Sequence, residues 1–564
     1  MMLVILFACG LIGGIRADIS KLVNLTQGPV LGYKANDAEL FEFYGIPYAT
    51  GPTGRDKFKE PLPAPVWTEI LEAVDKDTVC PQFGSERLSD KTVKEDCLVA
   101  NVFVPDTTTT NLPVMVWVHG GAFQMGHGNS GTPKQLVNSQ RIIVVSFNYR
   151  VGPHGFLCLG TKDIPGNAGM KDQIALLRWV KENIKYFGGN PDDVTVAGCS
   201  AGGASVDLLL LSKMASGLFH RAIPMSGANV GVFGAQVDPI ENAENYAKNI
   251  NYDQNKHGSL EEFYKNVTLE QLNSYSLLET KDLAVVFSPC VERDIGGERF
   301  LDDTPVNIIR SGDYIQCPLL YGFANLEGLY RGGLFEKWKN EMNTNFELFL
   351  PADLGFKNED EKLEVAKKIK EFYFGDKLVS NETGLNYVEY FTDTMFVYAM
   401  QRSVTLQVQS GNNNIFLFVY SFFDESSQYV PFSDVQGATH CAESRAFMDE
   451  DESKMTPEYK VIQQKMREAV LDFITTGNPT PPGSSLPTWL PSGANRSPCM
   501  DFGATIQVAG PFEEKRMLFW DEIYEQYHRQ PVPPYNNSAA PLHNLISLQV
   551  VIFIFLTQYL FLIR

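Results

Sequence analysis

Positive charge is in short supply in this 564-residue chain. Its 47 lysines and arginines face 67 aspartates and glutamates, which gives a formal net charge of −20. An acidic surface of this kind repels phosphate backbones and anionic lipid headgroups and keeps a protein soluble. The composition therefore argues against a nucleic-acid partner.

Cysteine is scarce as well. The chain has 9 cysteines, so disulfides are too few to build the fold, and a hydrophobic core must do so. Cys80 and Cys97 are the best candidate pair, because they close a short loop. Internal repeats and long low-complexity runs are also absent from the middle of the chain. Hydrophobic residues make up 44% and charged residues 20%, which is ordinary for a globular protein.

Both ends of the chain are apolar, and each predicts a targeting segment. Residues 1–17 form a compact hydrophobic stretch that ends in a small residue, as signal peptides do, although the usual basic start is missing. Residues 545–564 are nearly continuous in Leu, Ile, Val and Phe and are long enough to cross a bilayer. Small residues at 537–540 and a short spacer precede this tail and resemble a GPI-attachment signal, with a transmembrane helix as the alternative. We expect an exported body at residues 18–528, a stalk at 529–544 and a membrane tether.

Glycosylation sequons support export. The pattern Asn-x-Ser/Thr occurs at Asn24, Asn266, Asn381, Asn495 and Asn536. A proline shortly after the sequon at Asn495 weakens that site. We predict glycans at Asn24, Asn266 and Asn381.

Short β-rich runs alternate with helical patterns along the chain. Buried strands are predicted at residues 114–118, 142–147, 194–197 and 414–421. Apolar residues at three- and four-residue spacing predict a helix over 176–187. Strand, helix and strand in succession predict a βαβ unit and a mostly parallel, twisted α/β sheet flanked by helices. Residues 235–400 predict a helical, cap-like region.

The sharpest motif is Gly-Cys-Ser-Ala-Gly at residues 198–202, directly after a predicted strand. A serine is a poor nucleophile unless it is exposed to a base and held rigidly. The flanking glycines permit a tight strand-to-helix turn that lifts the Ser200 hydroxyl off the sheet edge. A helix that starts at Ala201 would point its N–H toward a developing oxyanion. We predict Ser200 as a nucleophile; a Gly-rich structural turn is the alternative.

A second glycine motif, His-Gly-Gly-Ala-Phe at residues 119–123, follows the first predicted strand. Consecutive glycines let backbone N–H groups approach a ligand oxygen, so Gly120 and Gly121 are predicted to complete an oxyanion hole with Ala201. A phosphate-binding loop is disfavoured, since no Gly-Lys-Ser/Thr follows. His119 is predicted to be structural.

These motifs, together with others in the same order, resemble the type-B carboxylesterase and cholinesterase family, and within it the insect carboxylesterases. The further matching segments are residues 43–49 (FYGIPYA), 95–98 (EDCL), 148–152 (NYRVG), 166–173 (GNAGMKDQ) and 226–227 (SG). The resemblance covers about residues 20–525. It implies an α/β-hydrolase fold that hydrolyses a small-molecule carboxylic ester through an acyl-enzyme, without a cofactor or a metal.

The resemblance also implies the partners of the nucleophile. In this fold the order along the chain is serine, acid, histidine. The family pattern puts the acid at Glu327 and the histidine at His440, which would take the proton of Ser200. The pattern also implies a structural ion pair between Glu95 and Arg150.

Two features depart from the family pattern. Cys199 stands beside the nucleophile, where family members commonly carry Glu or Gln, and we expect an inert, buried thiol there, with a reactive thiol as the alternative. The loop between Cys80 and Cys97 contains no tryptophan, whereas cholinesterases place an aromatic ring there against a quaternary ammonium. This absence argues against choline esters.

Two alternatives to ester hydrolysis are left open. A catalytically silent adhesion protein, like the neuroligins, would keep the scaffold, but here Ser200, His440 and the two glycines are retained. A lipase or an amidase would use the same machinery on other acyl substrates, because the pocket walls and not the triad select the substrate.

Overall fold

The computed structural model describes residues 19–85, 88–275, 279–449 and 455–535. The predicted signal peptide, the sequon at Asn536 and the apolar tail at 545–564 lie outside the described residues and stay predictions. Within those described ranges, no helix is both long and apolar enough to span a membrane.

A mixed sheet of 13 strands runs through the described part of the chain. The strands, including a small separate pair, are β1 (Ser20–Asn24), β2 (Pro29–Lys34), β3 (Leu40–Pro47), β4 (Leu71–Glu72), β5 (Thr78–Val79), β6 (Thr92–Val93), β7 (Val99–Pro105), β8 (Leu112–Val118), β9 (Ile143–Phe147), β10 (Gly189–Cys199), β11 (Arg221–Met225), β12 (Leu319–Ala324), β13 (Ile415–Tyr420), β14 (Cys499–Phe502) and β15 (Ile506–Ala509). The order in the sheet is β1-β2-β3-β7-β9-β8-β10-β11-β12-β13-β14-β15, with β4 beside β2, while β5 and β6 form the separate pair.

The central strands, from β9 through β8 and β10 to β14, run parallel. Every residue of β12 and β13 is buried. Parallel strands that are covered on both faces need a continuous apolar run instead of alternation. The four predicted strands are confirmed as β8, β9, β10 and β13, with shifted ends.

Helices flank the sheet. They are α1 (Lys134–Val137), α2 (Gly152–Phe156), α3 (Ala168–Asn183), α4 (Ala201–Leu209), α5 (Pro239–Asn249), α6 (Gln254–His257), α7 (Leu260–Asn266), α8 (Leu269–Leu272), α9 (Pro305–Ser311), α10 (Phe335–Thr344), α11 (Glu359–Phe374), α12 (Gly384–Thr392), α13 (Tyr398–Gln409), α14 (Pro457–Thr476) and α15 (Glu514–Tyr527). The predicted helical region at 235–400 is therefore confirmed, although β12 passes through it and joins the sheet.

The helix predicted over 176–187 begins earlier, at Ala168, and ends in a 3-10 turn. Its first turns carry Lys171 and Asp172, which are 5% and 0% exposed. Each of them pairs with an opposite charge from a neighbouring segment. Hydrophobic spacing does not detect charged residues that are buried in pairs, so the prediction began too late.

The predicted ion pair between Glu95 and Arg150 is wrong. Arg150 follows β9 and its Nη2 lies 2.6 Å from Oδ1 of Asp172 on α3, with both side chains fully buried. The Arg150 backbone N–H donates to the same carboxylate at 3.0 Å. Glu95 instead accepts from the backbone N–H of Gly54 at 3.0 Å.

The segment at 529–535, the described start of the predicted stalk, packs on the body. The backbone N–H of Arg529 donates to the carbonyl of Asp353 at 2.8 Å, and that of Val532 donates to the carbonyl of Val237 at 3.1 Å. The stalk beyond residue 535 lies outside the described residues.

Loops at the carboxyl ends of the central strands carry the sequence motifs. Residues 119–123 follow β8, Ser200 follows β10, Glu327 follows β12, and His440 lies in the long loop after β13. In a parallel α/β sheet, this edge is where ligands bind. The topology therefore gathers the four candidate segments at one place.

Candidate active site

Ser200 stands at a sharp turn between β10 and α4. Its φ of +62° is unusual for a residue other than glycine and marks a strained position. A Cβ on Gly198 would lie 2.7 Å from the carbonyl oxygen of Val118, and a Cβ on Gly202 would lie 2.2 Å from the same atom. Glycine at both positions lets the turn approach β8. The turn therefore fixes Ser200 at the end of its strand.

Three of the predicted side chains meet beside this turn. His440 Nε2 lies 2.9 Å from Ser200 Oγ, and His440 Nδ1 lies 2.6 Å from Glu327 Oε2. Glu327 is fully buried, whereas the His440 side chain is 11% exposed. This geometry suits an Nδ1–H that donates to Glu327 and an Nε2 lone pair that faces Ser200.

The acid loop and the histidine loop are bound to each other. The backbone N–H of Leu326 donates to the carbonyl of Ala438 at 3.1 Å, and Asn325 Oδ1 accepts from the N–H of Ala438 at 2.9 Å. The second oxygen of Glu327, Oε1, accepts from the N–H of Ala324 at 2.8 Å. These bonds fix the position of the Glu327 carboxylate relative to the loop that carries the imidazole.

Gly120 and Gly121 lie against the Ser200 turn. A Cβ on Gly120 would stand 3.1 Å from the Ser200 Cβ. Gly121 has a φ of +115°, and a Cβ there would stand 2.0 Å from the carbonyl oxygen of Met125. The loop therefore presents bare backbone beside the serine. Ala201, the first residue of α4, adds the amide end of a helix on the other side.

His119 supports the glycine loop from behind. It is 2% exposed, its Nδ1 lies 2.8 Å from the carbonyl oxygen of Gly120, and its ring stacks on Tyr149 with centroids 4.2 Å apart. Burial lowers the pKa of His119 to about 3, so the ring is neutral and donates through Nδ1–H. Its contacts fit the structural role that the sequence predicts.

Two residues without a predicted role extend the site, Ser226 and Glu443. Ser226 Oγ lies 2.5 Å from Oε1 of Glu327 and 2.5 Å from Oε1 of Glu443. Burial, and then the negative charge of Glu327, hold the pKa of Glu443 well above its ordinary 4.5. One hydroxyl hydrogen serves one carboxylate, so a neutral Glu443 donates to Ser226, which donates to Glu327. Both residues lie in segments that resemble the family, Ser226 in residues 226–227 and Glu443 three residues after His440, but the resemblance gave neither of them a role.

A cavity of about 370 Å³ opens on Ser200 and His440. Phe396 stacks on the imidazole with centroids 4.0 Å apart, and Tyr330 packs against it at 5.3 Å. None of the described residues in its wall is acidic; the apolar ones include Trp117, Met125, Phe233, Val285, Met395 and Met448. Arg331 also lies in the wall, where its guanidinium packs on the ring of Tyr330. The cavity suits an apolar ligand.

Comparison with known proteins identifies the family. The profile of the carboxylesterase family matches residues 19–520. The chain belongs to the carboxylesterase family. Carboxylic ester hydrolase of Bombus ignitus is 31% identical over 473 residues, which cover 80% of this chain and 84% of that protein. Juvenile hormone esterase of Heliothis virescens is 32% identical over 431 residues, covering 72% and 75%.

Solved structures agree with this assignment. This carboxylesterase matches the crystal structure of juvenile hormone esterase from Manduca sexta, with OTFP covalently attached, at a TM-score of 0.79 and 30% identity. The alignment covers 90% of this chain and 100% of the Manduca sexta chain. The α/β-hydrolase fold and the carboxylic-ester hydrolase activity, both expected from the sequence, are thereby confirmed. The protein is a serine carboxylic-ester hydrolase.

The carboxylesterase contains three disulfides within the described residues. They join Cys80 to Cys97, Cys158 to Cys290 and Cys199 to Cys441. The first pair is the predicted one. Disulfides persist in oxidising compartments, which agrees with an extracellular enzyme.

The prediction of an inert Cys199 thiol is wrong, because Cys199 is joined to Cys441 beside the catalytic histidine candidate. The two cysteines are 242 residues apart in the chain, and a spacing of that size does not reveal a pairing. Within the described ranges, no group of three or more His, Cys, Asp or Glu side chains is arranged to hold a metal ion.

Proposed function

We propose that this carboxylesterase hydrolyses neutral, apolar carboxylic esters through an acyl-enzyme on Ser200, with His440 as general base and Glu327 as its acid partner. His440 Nε2 takes the Ser200 proton as Oγ attacks the ester carbonyl carbon, and then gives that proton to the leaving alkoxide. Water, activated by the same imidazole, attacks the acyl-enzyme. The acid leaves and Ser200 regains its proton.

The observation that carries this proposal is the unbroken contact from Ser200 Oγ to His440 and on to Glu327, at 2.9 and 2.6 Å. A buried carboxylate on Nδ1–H stabilises the imidazolium that forms during attack. The amides of Gly120, Gly121 and Ala201 would stabilise the oxyanion. Loss of one such donor typically slows an enzyme by about a hundredfold.

The cavity supports an apolar substrate. Its wall is rich in methionine and aromatic side chains, and none of the described wall residues is an Asp or Glu that would attract a quaternary ammonium. None of the described residues between Cys80 and Cys97 lines it. The lack of an acidic side chain among the described wall residues, together with the positive charge of Arg331 in that wall, favours uncharged aryl or alkyl esters over choline esters.

The test is a panel of aryl, alkyl and choline esters with the wild type, Ser200→Ala and Ser216→Ala. Ser216 is exposed and lies outside the cavity wall, so its variant is the matched control. We expect Ser200→Ala to lose turnover and organophosphate labelling, while Ser216→Ala keeps both. Wild type that is neither labelled nor faster than Ser200→Ala would refute the proposal and favour a silent binding protein.

We also propose that the enzyme is exported, glycosylated and tethered at the cell surface by a GPI anchor. The apolar tail at 545–564 and the small residues at 537–540 support the tether. Asn24, Asn266 and Asn381 are exposed, which glycosylation requires. Release of the full-length enzyme from cells by a phosphatidylinositol-specific phospholipase C would support the anchor; retention after treatment would favour a transmembrane helix.

A further inference from the structure

The Cys199–Cys441 disulfide joins the two loops that meet at the reacting atoms. Cys199 directly precedes Ser200, and Cys441 directly follows His440. Cys441 Sγ lies 3.7 Å from Nε2 of His440, the nitrogen that faces Ser200. The bond therefore connects the immediate neighbours of the proposed nucleophile and the proposed base.

The backbone next to each end of this bridge adopts a positive φ. Ser200 and Cys441 each have a φ of +62°, which costs energy for a residue other than glycine and persists only where the surroundings impose it. Before His440 in the chain, the histidine loop is linked to its neighbours by hydrogen bonds around Ala438. After His440, the loop is linked by the hydrogen bond between Glu443 and Ser226 and by the disulfide. The disulfide is the covalent link, and it lies directly beside His440.

Of the six bridged cysteines, Cys441 is the accessible one in the described structure. Cys80, Cys97, Cys158, Cys199 and Cys290 are between 0% and 4% exposed. Cys441 is partly exposed, and both Cys199 and Cys441 line the cavity that opens on Ser200. The bridge therefore borders the space that a substrate would fill, and this space is the route by which a small reductant would approach it.

We infer that the Cys199–Cys441 disulfide is a positioning element that holds His440 in register with Ser200, and that its reduction through the cavity slows acylation reversibly. The inference rests on the proposed function of Ser200 and His440. Displacement of a catalytic group by about 1 Å typically costs about a hundredfold in rate. We expect a loss of about 10- to 100-fold in kcat when the bridge opens.

A dithiol reductant can open the bridge in two exchange steps. One of its thiolates attacks Cys441 Sγ, the Cys199–Cys441 bond breaks, and Cys199 leaves as a thiolate that takes a proton. The second thiol of the reductant then displaces Cys441 from the mixed disulfide. Two electrons and two protons pass to the cysteine pair, and the reductant becomes a cyclic disulfide. An oxidised disulfide reagent reverses the reaction.

The first test compares wild type with the double variant Cys199→Ser/Cys441→Ser over a range of pH on an aryl ester. A positioning role lowers kcat 10- to 100-fold, leaves KM within about threefold, and changes the pH profile of kcat/KM. The control is Cys158→Ser/Cys290→Ser, which removes a bridge outside the cavity. It is expected to lower thermal stability and leave kcat and the pH profile unchanged. A bridge variant with the kcat and pH profile of wild type overturns the inference.

The second test needs no variant and avoids any failure to fold. Folded wild type is treated with dithiothreitol, free thiols are alkylated, and the modified cysteines are mapped by mass spectrometry. We expect Cys199 and Cys441 to be modified first, at the same rate as kcat is lost. A phosphonate on Ser200 should protect both cysteines from reduction. Re-oxidation of enzyme that has not been alkylated should restore activity. Unchanged kcat after modification of both cysteines, or earlier opening of another bridge, overturns the inference. Absence of Ser200-dependent turnover in the oxidised wild type would instead defeat the proposed function.

Discussion

Arg150 and Asp172 form a fully buried ion pair that ties the end of β9 to α3. The guanidinium Nη2 lies 2.6 Å from Oδ1 and Nε lies 2.8 Å from Oδ2. The remaining nitrogen, Nη1, donates to the carbonyls of Lys57 and Lys59. One side chain thus joins three segments beneath the edge of the sheet that carries the active site.

Removal of the carboxylate should be costly, because it leaves the Arg150 charge buried without a partner. Asp172→Ala is expected to lower the free energy of unfolding by about 3–5 kcal/mol, as measured by urea denaturation. The control is Glu298→Ala, which breaks a pair with Arg178 whose side chains are 48% and 65% exposed; it should cost about 0–1 kcal/mol. Equal losses in the two variants would contradict this account.

His119 should make stability depend on pH. Its folded pKa of about 3 lies below its ordinary value of 6.5, so the unfolded chain binds a proton that the folded chain does not. The contribution of the neutral His119 ring to the free energy of unfolding is fully present above pH 6.5. It is lost as the pH falls toward 3, at up to about 1.4 kcal/mol per pH unit. His119→Gln should have a shallower pH slope of the unfolding free energy than wild type, whereas His257→Gln, at an exposed position, should match wild type. A slope unchanged by His119→Gln would count against the buried neutral ring.

Much of the fold could be predicted from the sequence, because the central strands are covered on both faces and therefore appear as unbroken apolar runs. The start of α3 was not readable, since Lys171 and Asp172 are buried through partners that come from other segments. The same reason explains the wrong partner for Arg150. Periodicity reports which face of an element is apolar, but not which distant charge meets a buried one.

The candidate active site was likewise predictable from the sequence only in part. Ser200 and the glycines of residues 119–123 sit in local motifs whose backbone requirements dictate their sequence. Glu327 and His440 were implied by family resemblance, and the structure brings both side chains into one line of contacts with Ser200. The roles of Glu443 and of the Cys199–Cys441 bridge depend on contacts between segments that are far apart in the chain, and no local pattern encodes them.

Glu443 should control the alkaline limb of activity. Its pKa is raised by burial and by the charge of Glu327, so the folded chain holds a proton that the unfolded chain releases near pH 4.5. The free energy of unfolding therefore declines as the pH rises above 4.5, until the raised pKa is passed. Deprotonation also places a second negative charge beside Glu327 and disturbs the bond to His440.

Glu443→Gln keeps a neutral hydrogen-bond donor for Ser226 but removes the carboxyl group that would lose a proton as the pH rises. We expect a kcat within about threefold of wild type at neutral pH, because the hydrogen bond is retained, and a flatter alkaline limb of kcat/KM. Glu443→Ala, which leaves Ser226 without that partner, should lose about tenfold in kcat. An alkaline limb that is identical in wild type and Glu443→Gln would rule out Glu443 as the titrating group.

Gly121 should tolerate no side chain. Its φ is +115°, and an added Cβ would stand 2.0 Å from the carbonyl oxygen of Met125, so Gly121→Ala must displace the loop that faces Ser200. Loss of one oxyanion donor predicts a fall of about a hundredfold or more in kcat, together with slower phosphonylation of Ser200. The matched control is Gly333→Ala, since a Cβ at Gly333 meets nothing within 4 Å and kcat should not change. If Gly121→Ala turned over esters as fast as Gly333→Ala, the loop would have no part in stabilising the oxyanion, and the negative charge on the tetrahedral intermediate would need other donors.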